Sequence, residues 1–155
     1  MQWYFILFGL LALWVGFDAS RRNLGAAKAV LWALGTLVLG VIVVPVYLAK
    51  RPLKANQVRE GGFAWNVLKN FALTWTILMV AISISAIGAA VGGTNATSDA
   101  EAAGAAIGVS IVVVILAVVW FFPMVGAIVL GFFLKNSAIV ERGPTGSLAQ
   151  EARVT

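Results

Sequence analysis

Polar and charged positions in this chain are gathered into a few short segments. Between them run four stretches, roughly residues 1–17, 29–49, 70–98 and 102–134, that hold no charged side chain and together take up about two-thirds of the 155 residues. A backbone in hydrocarbon has to satisfy its hydrogen bonds within itself, so runs of this kind predict membrane-spanning helices. The predicted fold is an all-α polytopic membrane protein. Four transmembrane helices, about residues 2–18, 29–49, 71–91 and 105–134, form two antiparallel hairpins within a domain covering 1–135, and residues 136–155 are expected to be a flexible cytoplasmic tail.

The four stretches are unequal. From Trp3 to Phe17 the first reaches only about 23 Å, less than a hydrocarbon core of about 30 Å, so its crossing depends on recruiting Met1, Gln2 and Asp18. Trp3, Tyr4 and Trp14 lie near its ends, where amphipathic rings favour the headgroup region. The following segment from Asp18 to Gly25 is polar and turn-prone and predicts a tight connection to the second helix. That second helix carries Pro45, which predicts a kink, and ends at Lys50-Arg51-Pro52. After Gly61-Gly62, the residues Asn66, Lys69 and Asn70 recur at helical spacing opposite apolar positions, which predicts a short interfacial helix over 63–71 before the third span. The fourth stretch would measure about 45 Å if straight, so it has to tilt, kink at Pro123 or project beyond the bilayer.

Composition narrows the chemistry. The chain is 61% hydrophobic and 11% charged and contains no cysteine and no histidine, with a mean hydropathy of +0.98. Thiolate or imidazole metal sites and histidine or cysteine catalysis are excluded, and no cofactor is expected. All six carboxylates, Asp18, Glu60, Asp99, Glu101, Glu141 and Glu151, fall in connectors or the tail. No ionisable group is predicted at membrane depth, which argues against coupled transport. The net charge of +5 comes from basic residues that flank apolar spans, a pattern that fits topology and anionic lipid instead of nucleic acid.

Counting those residues orients a four-span model. Connector one has three (Arg21, Arg22, Lys28), connector three none, connector two five (Lys50, Arg51, Lys54, Arg59, Lys69) and the tail three (Lys135, Arg142, Arg153). Eight against three places both termini and the middle connector in the cytoplasm, with Arg21, Arg22 and Lys28 as the discordant residues. A first span that is only half-inserted accommodates them equally.

Candidate functional features are few. Gly88 and Gly92, and Gly104 and Gly108, have GxxxG spacing and are assigned to helix packing, either between helices three and four or with another copy. Lys50, Arg51, Lys54 and Arg59 form a basic cluster suited to lipid headgroups or an acidic partner. Thr74, Thr76, Ser83, Ser85 and Ser110 are expected to bond their own helices at i−4, with a polar path as the alternative. Trp120, Phe121 and Phe122 lie deep in the longest span and are read as packing groups. Asn95-Ala96-Thr97 matches a glycosylation acceptor pattern.

The first third reads Trp14-Val15-Gly16-Phe17-Asp18-Ala19 with Arg21-Arg22, then Pro45-Val46-Tyr47-Leu48 and Arg51-Pro52. It resembles the two-helix hairpin of small uncharacterised bacterial inner-membrane proteins, with an Asp-Ala-x-x-Arg turn and a Pro-x-Tyr-Leu…Arg-Pro exit. The resemblance implies a bacterial inner membrane and names no activity. The function expected from these observations is that of a non-catalytic integral membrane protein, a structural or accessory subunit packing with itself or a larger membrane complex. A homo-oligomeric channel or pore is the alternative. Lipids are the other expected partners, and nucleic acid is not.

Overall fold

The computed structural model describes residues 2–92 and 98–144, with side chains from Phe5 onward. Trp3 and Tyr4 as aromatic anchors, the Asn95 sequon and the tail from 145 lie outside the described side chains and residues. Four helices account for most of the structure: α1 (Gln2–Arg21), α2 (Ala26–Lys50), α3 (Gly62–Gly92) and α4 (Asp99–Leu134). Two short strands, β1 (Val58–Gly61) and β2 (Asn136–Arg142), pair antiparallel. By length and composition, α2, α3 and α4 are each apolar enough to cross a membrane.

The path of α2 departs from the expected span. Leu39 has non-helical torsions (φ −129°, ψ 42°), and there the helix reverses direction. Three observations fix the reversal. The rings of Trp32 and Tyr47 lie 5.4 Å apart between centroids, although fifteen residues of straight helix would separate them by about 22 Å. A Cβ on Gly35 would touch Val43 at 3.4 Å. Ala29, Val44 and Tyr47 share one buried cluster with Val15 and Ala19 of α1. The arms on either side of Leu39, residues 26–38 and 40–50, measure only about 20 and 17 Å. Each is shorter than a hydrocarbon core of about 30 Å, and the two ends of α2 lie at the same end of the molecule.

The kink expected at Pro45 is therefore misplaced by six residues; Pro45 itself is fully buried in the second arm. Helix α1 lies along both arms. It runs antiparallel to the first, with Gly16 against Ala33, and parallel to the second, with Phe8 against Gly40 and Asp18 against Tyr47. Small residues make this possible: a Cβ on Gly40 would fall 1.8 Å from a Phe8 ring atom, inside the space that ring occupies.

Two other expectations change at the β-ribbon. No separate interfacial helix precedes the third span, because 63–71 are the first turns of the continuous α3. Gly61 and Gly62, at φ +88° and +79°, turn the chain from β1 directly into that helix, a conformation that side chains disfavour. Residues 136–142 are not flexible tail. Arg59 pairs with Glu141 and Glu60 with Val140 in the ladder, and the β-branched pair Ile139-Val140 suits a strand once β1 supplies the partner. Ile139 also covers Gly62.

Helices α3 and α4 form the predicted antiparallel hairpin, about 46 and 54 Å long. Within α4 the only buried residues are Ala127 and Gly131, and the helix runs unbroken through Pro123. Ser98 caps its start by accepting from the amide of Glu101, with Asp99 and Glu101 in the first turn where carboxylates favour the helix dipole.

Candidate functional site

The reversal of α2 brings the end of α1, both ends of α2 and the β-ribbon to one end of the molecule. Asp18, buried near the end of α1, is the centre of a charged cluster there. Its Oδ2 accepts from the Tyr47 hydroxyl at 2.7 Å, from Arg22 Nε at 2.8 Å and from an Arg51 guanidinium nitrogen at 3.2 Å. Arg22, with a side chain only 4% exposed, also donates to the Pro52 carbonyl. A buried carboxylate is tolerable only when it is paired and hydrogen-bonded, and three donors meet that demand here.

The two motifs of the hairpin resemblance thus touch each other. Asp18 and Arg22 supply the turn motif, while Tyr47, Arg51 and Pro52 supply the exit motif. Their spacing follows from helix geometry: Asp18 to Arg22 and Tyr47 to Arg51 are each four residues apart, so each pair presents one face.

Arg59 in β1 makes a second set of contacts beside the first. Its guanidinium donates to the carbonyls of Leu48, Ala49 and Arg51 and pairs with Glu141 at 3.1 Å. The last carbonyls of a helix have no partner within it, and a cation there also meets the negative end of the dipole. One arginine therefore ties α2 to both strands of the ribbon.

The sequence-selected basic residues divide accordingly. Arg51 and Arg59 are structural contacts within the chain, whereas Lys50 and Lys54 are exposed, Lys50 lying over the Phe63 ring at 5.4 Å. Gly88, Gly92, Gly104 and Gly108 are not brought against a neighbour: a Cβ at any of them would meet nothing within 4 Å. The close small-residue contacts lie elsewhere, at Gly16, Ala19, Ala29, Ala33 and Gly40, and the recurrence of small residues at 12, 16 and 19 is the signal that could have found them.

Three of the five hydroxyls bond their own helices as expected. Thr76, Ser85 and Ser110 donate to the carbonyls of Ala72, Ala81 and Ala106, four residues back in their own helices. Trp120 is likewise a packing group, donating to Thr76 Oγ1 at 3.1 Å while Trp75 donates to the Trp120 carbonyl at 3.2 Å. Among the described residues, no group of three or more carboxylates gathers in the manner of a metal site.

A cavity of about 600 Å³ opens beside the Arg59 contacts, between the end of α2, β1, the start of α3 and Lys135. Asn66, Lys69 and Asn70, whose spacing suggests a polar helix face in the membrane plane, all line it. Asn66 is buried and donates to the carbonyls of Glu60 and Gly62, which secures the junction of β1 and α3. Family models, curated proteins and solved structures yield no match to this chain.

Proposed function

We propose that this is a small non-catalytic integral membrane protein of a bacterial inner membrane, an accessory subunit that associates with other membrane helices. The observation that carries the reading is the apolar surface that α4 leaves uncovered. Only Ala127 and Gly131 of this helix are buried, Ile107, Ile111, Val114, Ile115 and Phe133 are each more than half exposed, and a Cβ on Gly104 or Gly108 would meet nothing within 4 Å. In lipid, close backbone approach at small residues is a principal source of helix association. The back-bonded hydroxyls speak for packing and against a hydrophilic path.

The orientation proposed differs from the four-span count. With α2 re-entrant, Arg21, Arg22, Lys28, the basic residues of connector two, Lys135 and Arg142 share one end, so the discordance disappears and that end is cytoplasmic. The start of α1 then lies at the opposite face, and α1, whose twenty residues measure about 30 Å, crosses together with α3 and α4. Native mass measurement in mild detergent tests the accessory reading. A complex with other membrane chains is expected. A homo-oligomer conducting ions in planar bilayers would replace the reading with the pore, and a bare monomer would remove it.

A further inference from the structure

We propose that the cavity between α2, β1, α3 and Lys135 seats the phosphate-bearing headgroup of an anionic phospholipid. Its volume of about 600 Å³ is within the range of small-ligand pockets, roughly 300–1,000 Å³. Four cations from four different elements line it: Arg51 at the end of α2, Arg59 in β1, Lys69 in α3 and Lys135 just after α4. The sole carboxylate in the lining is Glu60.

The cations are of two kinds. Arg51 and Arg59 are already paired, with Asp18 and Glu141, and form a fixed positive wall. Neither Lys69 nor Lys135 has an ion-pair partner among the described residues; Lys135 rests over the Trp65 ring at 5.6 Å, and both are exposed. Two exposed ammonium groups beside the paired guanidinium groups, with Gln57 and Asn70 as neutral hydrogen-bonding groups, suit a headgroup whose phosphate carries net negative charge better than a zwitterionic or cationic one. Position selects the source. The cavity lies where α3 begins and α4 ends, at the depth where headgroups meet apolar helices, and anionic lipid in the cytoplasmic leaflet draws each nearby Lys or Arg.

The inference rests on the membrane reading but not on the accessory role. Its test is titration of the full chain in neutral detergent with short-chain phosphatidylglycerol, phosphatidylcholine or inorganic phosphate, read as the shift in apparent Tm. Phosphatidylglycerol is expected to stabilise saturably and phosphatidylcholine not at all. The double variant Lys69→Gln with Lys135→Gln should weaken the apparent affinity roughly 30-fold, taking each cation's contribution near an anionic surface. Lys69→Arg with Lys135→Arg should restore it, and Lys28→Gln with Lys54→Gln, outside the cavity, should leave it little changed.

Equal loss from both glutamine pairs would show diffuse surface attraction and overturn the seat, as would equal stabilisation by the two lipids. Stabilisation by inorganic phosphate that phosphatidylglycerol does not exceed would assign the site to free phosphate instead. A chain that stays in solution without detergent would refute the membrane reading separately.

Discussion

The two helical pairs of this molecule are built from similarly apolar sequence yet follow different paths. The N-terminal pair is compact: α2 doubles back at Leu39, α1 lies along both arms through small residues, and the Asp18 cluster joins the ends. The C-terminal pair is long and unbroken, joined in mid-span by the Trp75, Thr76 and Trp120 contacts and near the ribbon by Trp65 on Gly131. Absence of charge permits burial in lipid but does not decide how a helix travels. Where the polar ends have to meet decides it: in the N-terminal pair Asp18 needs Tyr47, Arg22 and Arg51, and α2 folds so that it gets them.

Breaking the cluster should have the largest effect. Asp18→Ala leaves Arg22 and Arg51 facing each other without their carboxylate, and removal of one partner from a buried ion pair costs about 3–5 kcal/mol. Chemical denaturation in detergent, followed through the N-terminal pair, should show that loss; a change below about 1 kcal/mol would mean the cluster is ornamental. Asp18→Asn keeps a hydrogen-bond acceptor for Tyr47 and should be milder.

A smaller effect is expected at the small-residue contacts. Gly40→Ala places a methyl where the Phe8 ring lies, an overpacking that costs typically about 1–3 kcal/mol, and Phe8→Ala in the same chain should relieve part of it. The matching change in the other pair, Gly104→Ala, meets open space and should change monomer stability by no more than about 0.5 kcal/mol. The same substitution should nonetheless weaken association in native mass measurements if that face docks a partner. An equal loss of stability at Gly40 and Gly104 would erase the contrast between the two pairs.

Much of the fold was legible in the sequence and some was not, for physical reasons. Charge-free length located the helices but left Asp99 and Glu101 in a connector, whereas α4 begins at Asp99 under the Ser98 cap. The reversal at Leu39 was hidden because the sequence is equally apolar on both sides of the turn; only Gly35 and Gly40, flanking it, hinted at close approach. Residues 136–142 looked like tail because a strand is stabilised by its partner, and β1 lies some eighty positions earlier. The site was half visible. Asp18, Arg22, Tyr47 and Arg51 were present as motif residues, but their meeting depends on α2 folding back, which spacing alone does not encode. The glycines of α3 and α4 illustrate the converse: GxxxG spacing reports what a helix face allows, and no described part of this chain takes up that face.

The re-entrant path of α2 is the claim on which the rest depends, and side-specific labelling addresses it directly. The chain has no cysteine, so single replacements are clean probes. Ser20→Cys at the end of α1, Ala55→Cys in connector two and Ala100→Cys at the start of α4 are all at exposed positions. With a membrane-impermeant thiol reagent on sealed vesicles, Ser20→Cys and Ala55→Cys should label from the same side and Ala100→Cys from the other. Labelling of Ser20→Cys and Ala55→Cys from opposite sides would restore α2 as a simple span and contradict the account.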